Sequence, residues 1–186
     1  GAISVCAGGL MGLPLGVAEY RERKILKRFQ VTPISPGMLL AVEFLIYVLY
    51  ALVSLISLLL VSGLAWGVNL RGSWVSFAGS WLLTVLSTLS IGMMVGGIAK
   101  NTKSASVIAC VLYFPMLIFS GATLPFEVMP ESVQKIISVF PLTQGIQFMK
   151  SAFLGLSVEH FALPIFVMLG VTLVCSGIAV KCFKWE

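Results

Sequence analysis

Aspartate is missing from the sequence altogether, histidine occurs once, at position 160, and charged residues make up only 10% of the chain. Acid–base catalysis by paired carboxylates and metal binding by His and acid clusters both need such side chains at short range, and no HExxH or GxSxG motif supplies them. The only acid inside an apolar run is Glu43. It falls near the basic end of its run, whereas ion-coupled transporters hold ionisable groups deep in the bilayer. A GxxxxGK[ST] loop is also absent, so the chain offers no phosphate cradle of that kind. Cys6, Cys110, Cys175 and Cys182 have no CxxC spacing and no neighbouring histidine. They read as small apolar packing residues, not as metal ligands or disulfide partners. No catalytic, cofactor-binding or metal-binding residue is assigned.

What remains is overwhelmingly apolar. Hydrophobic residues make up 59% of the 186 residues, with mean hydropathy +1.05. A soluble domain of this length needs far more polar side chains to cover its surface. Five apolar runs stand out, at 2–17, 38–61, 74–99, 105–124 and 161–179. About 20 residues of helix cross the hydrocarbon core, so the fold class is an all-α integral membrane protein of about five spans in one domain. The first run has no basic residues before it and no cleavage site, and reads as a span preceded by further sequence rather than as a signal peptide.

Lys and Arg number 12 against 7 acids, a net charge of +5. Their placement explains them without nucleic acid. Arg21, Arg23, Lys24, Lys27 and Arg28 crowd the first linker, Lys100 and Lys103 the third, and Lys181 and Lys184 the tail. The intervening linkers hold Arg71, or Lys135 and Lys150 across a long stretch. The positive-inside rule therefore expects the first linker, the third linker and the C-terminus to be cytoplasmic in a cell-membrane protein. Trp66, Trp74 and Trp185 fall where indoles favour the headgroup layer.

Three patterns within this frame carry content. In the first linker Glu22, Ile25, Leu26 and Phe29 share one helical face and Arg21, Lys24 and Arg28 another, before Pro33 and Pro36 stop the helix. That helix is either an interfacial topology anchor or a docking surface for a cytoplasmic partner. Between 125 and 156, two amphipathic helices are expected, one through Val133, Ile136, Ile137 and Phe140, the other through Leu142, Ile146, Met149, Phe153 and Leu156, broken at Pro141. They lie on the bilayer or re-enter it, as anchors or as a lid over an exit path. Small-residue stripes, Gly8, Gly12 and Gly16 on the first span and Thr84, Thr88, Gly92 and Gly96 on the third, suit close helix packing. Pro115 is expected to kink the fourth span, and Tyr113, Phe114, Met116 and Phe119 around it are candidate pathway-lining residues for an apolar substrate.

The order of these motifs is itself informative. A glycine-rich span precedes Glu19-Tyr-Arg-Glu-Arg-Lys-Ile-Leu-Lys-Arg and Thr32-Pro33-Ile34-Ser35-Pro36. Then come Ser120-Gly121, Leu124-Pro125, Met129-Pro130, Phe140-Pro141-Leu142, Phe153-Leu154-Gly155 and a closing Phe183-Lys184-Trp185-Glu186. The chain resembles the type-2 export permeases of ATP-binding cassette transporters, especially the bacterial drug- and antibiotic-export branch. The resemblance implies a six-span fold lacking its first helix here, and a coupling helix at 19–30 in which Glu19, Glu22, Ile25, Leu26 and Phe29 meet an ATPase. It also implies re-entrant helices before the last span, a second permease copy or paralogue, and ATP bound by a separate subunit, not by this chain. Glu43 departs from the pattern, which has a neutral or basic residue there. A non-transporting polytopic scaffold or sensor-associated subunit is the alternative.

Overall fold

The computed structural model describes residues 2–22, 36–66, 72–120, 130, 134, 137, 140–155 and 162–182. Among them the chain is helical throughout its regular elements. Helix α1 covers 2–22 and is interrupted by a π-helical stretch, Ala7–Gly12, between α-helical Ala2–Cys6 and Leu13–Glu22. It is followed by α2 (Pro36–Trp66), α3 (Trp74–Ile98), α4 (Thr102–Phe119), α5 (Pro141–Leu154) and α6 (Ala162–Cys182). Segments of α1, α2, α3 and α4 are long and apolar enough to cross a bilayer, and α6 carries the shorter apolar segment Pro164–Ala179. Pro115 sits inside a continuous α4.

The π stretch follows from sequence. A proline ring clashes with the carbonyl four residues back, here that of Leu10, and Pro14 has no N–H to donate. Widening the turn relieves the clash, and Gly8, Gly9 and Gly12 let the backbone adopt it; Leu13 N–H then reaches the Gly8 carbonyl. The i→i+5 pattern leaves the Gly9 carbonyl pointing toward a residue that cannot donate.

Helix α3 is the centre. It packs most extensively on α6, then on α1 and α5, with α2 and α4 at its margins. Small side chains make this possible. A Cβ on Gly92 would collide with the Gly9 carbonyl oxygen, one on Gly96 would stand 3.0 Å from Val17 Cβ, and one on Gly97 would lie 3.3 Å from the Ala179 carbonyl oxygen. The expected stripe on α3 is thus a packing surface, facing α1 at Thr88, Gly92 and Gly96 and facing α5 at Thr84. The buried hydroxyls of Ser80, Thr84, Ser87, Thr88 and Ser90 donate to carbonyls three or four residues back, so none needs an outside acceptor.

Helix α5 packs into the bundle against α3 and α6. Pro141 at its first turn and Gly155 in the left-handed region (φ 70°) at its end delimit it. Leu142 packs with Ile91 and Met116 deep in the bundle, Gly145 lies on Thr84, Phe153 meets Phe77 edge-on at 5.9 Å, and Ala152 abuts Gly72. The helix therefore climbs antiparallel to α3 over about 21 Å, from 14 residues at 1.5 Å each. Its deepest face is Leu142, Thr143, Gln144, Gly145, Phe148 and Ala152, while Ile146, Met149 and Phe153 flank it half-buried. Of the expected apolar stripe Leu142 is fully buried, and small and polar groups share that face with it and Phe148. Of the helix expected before it, only Pro130, Gln134, Ile137 and Phe140 are described, with Ile137 buried and Phe140 half-buried. Residues 121–124, expected to extend the fourth span, lie outside the described residues.

Candidate functional site

At one end of the bundle, α1 is tied to two other helices. The Tyr20 hydroxyl donates to Glu43 Oε1 of α2 at 2.5 Å. This accounts for the acid inside α2: Glu43 is buried and held by a donor from the neighbouring helix, a structural pairing for a group that is costly in a bilayer. Just inside it, the Tyr47 ring covers Gly8 and Gly12 of the π stretch, its hydroxyl oxygen lying 2.9 Å from where a Cβ on Gly12 would stand.

One turn after Glu19 and Tyr20, Glu22 Oε2 accepts from the Thr102 backbone N–H at 3.1 Å and from the Thr102 hydroxyl. Asn101, the N-cap of α4, accepts from Ser104 N–H through Oδ1 at 2.8 Å. The start of α4 is thus capped twice, locally by Asn101 and from α1 by Glu22. A carboxylate at a helix N-terminus contributes about 0.3–1 kcal/mol where exposed, and Glu22 is exposed. Lys100, Lys103 and Lys181 are exposed at this same end, so the described basic residues flanking the spans gather where α1 enters the first linker. Glu19 and Glu22 are the only described members of the expected coupling face; Ile25, Leu26 and Phe29 lie outside the described residues. The Glu22 carboxylate faces Thr102, within the chain.

The four residues expected to line a pathway do not share a surface. Met116 is 3% exposed and belongs to the core with Cys6, Leu10, Ile91, Leu142 and Cys175, and Tyr113 packs against that cluster. Phe114 and Phe119 point away from the bundle. Phe114 continues an outward stripe with Val107, Val111 and Ile118, at helical spacing along α4. Residues 114 and 116 are two positions apart, about 200° around a helix, so one wall cannot contain both. Cys6 and Cys175 are free and buried, as packing residues should be, and Cys110 is partly buried.

Tyr20 and Thr102, the two partners that fix this end, were not apparent as site residues. The readable signal was Asn101, an N-cap type before an apolar run; its cross-helix partner has no sequence signature.

A profile of the ABC-2 family transporter proteins matches residues 2–181. The chain is 30% identical over 134 residues to the inner membrane transport permease YhhJ of Escherichia coli strain K12, covering 70% of this chain and 36% of that protein. It is 26% identical over 142 residues to "Probable multidrug ABC transporter permease YbhS" of the same strain, covering 76% and 38%. The chain spans little more than a third of the length of these relatives.

Proposed function

Because the chain belongs to the ABC-2 family of transporter proteins, we propose that it is the membrane-spanning part of a permease in an ATP-driven bacterial exporter. It sits in the inner membrane with the linker around Lys24 and the tail around Lys184 in the cytoplasm. The substrate is an apolar or amphiphilic molecule of the drug, antibiotic or lipid kind, a reading supported by the multidrug name of one relative. A separate ATPase subunit binds and hydrolyses ATP, and a second permease copy or paralogue completes the pathway. Phe114 and Phe119 stand on the outward surface of α4 available to that second copy; Tyr113 and Met116 support it from within.

The observation that carries the coupling is the double tether at the end of α1. Tyr20 joins it to α2 and Glu22 joins it to α4. A displacement of the 19–30 linker by an ATPase is therefore delivered to three spans together, as alternating access by rigid-body movement requires. In this reading Ile25, Leu26 and Phe29 fill a groove on the ATPase, Glu19 borders it, and Glu22 passes the movement to α4.

Leu26→Asp tests this. An unpaired carboxylate in an apolar contact is strongly unfavourable, so ATPase co-purification and drug efflux collapse while membrane insertion stays normal. Lys24→Gln leaves both nearly unchanged at matched expression. If Leu26→Asp retains its ATPase and its efflux, the linker is a topological anchor and the chain a scaffold.

A further inference from the structure

Helix α1 is not held alike along its length. On the Glu22 side of the π stretch it is fastened to three helices. Tyr20 donates to Glu43 of α2, Glu22 accepts from Thr102 of α4, and Val17 Cβ stands 3.0 Å from where a Cβ on Gly96 of α3 would be. On the other side, among the described residues, no hydrogen bond or ion pair joins Ala2–Cys6 to another helix.

The packing around the π stretch is equally lopsided. Gly9 and Gly92 bring the backbones of α1 and α3 into contact, since a Cβ on Gly92 would meet the Gly9 carbonyl oxygen. Beside that contact lies a cavity of about 110 Å³ between α1, α2 and α3, bordered chiefly by Val5, Gly8, Gly9, Ala51, Val85 and Leu89. Protein interiors leave few voids larger than a water molecule. Here Gly8 and Gly9 have no side chains to fill one, and Val5, on the untethered side, forms a wall. The helix is also weakest at this level. Pro14 withholds a donor, and helix kinks concentrate at prolines, glycines and π turns, which coincide here. A backbone pivot, a soft turn around it and an empty space beside it are the parts of a hinge.

We propose that α1 is hinged at Ala7–Gly12. Its Glu22 half moves with α2 and α4, while its first residues swing about the Gly9–Gly92 contact and carry Val5 into the cavity. Ile3 lies about 9 Å beyond Gly9 at 1.5 Å per residue, so a kink of about 20° displaces it by about 3 Å. In transport, such a hinge lets the tethered end be driven while the opposite end of the span keeps its own position. That role rests on the reading of the chain as a permease. The hinge itself is tested without ATPase or efflux, so either can fail alone.

The test uses the full-length protein, cysteine-free apart from paired spin labels, in nanodiscs and diluted with unlabelled protein. Two pairs take α2 as reference, Ile3 with Leu60 for the untethered half and Gly16 with Met38 for the tethered half. Ile3, Leu60 and Met38 are exposed, and a Cβ added at Gly16 meets nothing within 4 Å. Dipolar distance measurement should give one narrow distance for Gly16–Met38. For Ile3–Leu60 it should give a second population, shorter by up to about 3 Å. Removing Ala7 brings the interval from Val5 to Val17 to about three whole turns of regular helix, and the second population should disappear. Ala51→Leu, which fills the cavity and leaves the π stretch intact, should leave only the longer distance. A single narrow Ile3–Leu60 distance in the parent protein would make α1 a rigid rod and overturn the proposal. So would a second population that survives either change, since the movement would then belong to α2 or to fraying of the first residues.

Discussion

Helices α2 and α3 are neighbours, both long enough to cross a bilayer, yet they are built on opposite logic. The more apolar of the two is the exposed one: 6% of the α2 span is buried against 67% of the α3 span. Helix α3 is punctuated by Ser80, Thr84, Ser87, Thr88, Ser90, Gly92, Gly96 and Gly97, all buried. In water, leucine goes inside because water rejects it. In lipid that force is gone, and helices associate through close approach of small residues, with hydroxyls satisfied by their own backbone. The interior of this protein is therefore recognised by small side chains, and its surface by large ones.

The contrast can be broken in graded steps. The largest effect is expected from Gly92→Val, because its Cβ would enter the Gly9 carbonyl; a backbone cannot give way as a side chain does, and the loss should exceed about 3 kcal/mol. A thermal melt in detergent should show the bundle no longer unfolding cooperatively. Next comes Val53→Asp on the exposed face of α2, expected to disfavour insertion by about 2.5–3.5 kcal/mol in a glycosylation-mapped insertion assay; an unimpaired insertion would mean that this face is not in contact with lipid during assembly. Thr88→Val removes a hydroxyl that donates to the Thr84 carbonyl, and because that bond is local the melt should shift by less than about 1 kcal/mol. Smallest is Gly63→Ala on α2, where an added Cβ meets nothing within 4 Å; it should be neutral or stabilise by at most about 1 kcal/mol through helix propensity. Comparable losses for Gly92→Val and Gly63→Ala would erase the distinction between the two helices.

Much of this was readable in the sequence, unevenly. Hydropathy placed α2 and α3 within a few residues, since long apolar runs between charges admit one interpretation. The first span and the helix expected over 19–30 were read as separate elements; α1 runs on to Glu22, where Tyr20 and Glu22 find partners on α2 and α4. Those partners are 23 and 80 positions away, beyond any local pattern. Of the expected α5 stripe Leu142 is fully buried and Ile146, Met149 and Phe153 are half-buried, while Thr143, Gly145 and Phe148 share the buried face; small residues such as Gly145 let one helix approach another inside a membrane. Of the residues expected along a pathway, Met116 and Phe114 fall on opposite sides of α4.

The π stretch of α1 has a consequence for geometry along the whole helix. Its buried residues come in pairs at strict intervals of four: Val5 and Cys6, Gly9 and Leu10, Leu13 and Pro14, Val17 and Ala18. Four residues of regular α-helix turn through about 400°, so a four-residue rhythm slips about 40° per repeat and would wind the buried stripe off its groove within three repeats. The wider turn at Ala7–Gly12 runs the other way and restores the phase. It acts as a vernier: one residue inserted into the count keeps a straight helix aligned with α3 at both ends. Deleting that one residue between Ala7 and Gly12 would leave Val5 and Val17 eleven residues apart, about 1,100° of regular α-helix and so within about 20° of three full turns, and the buried stripe would keep its phase with no π stretch.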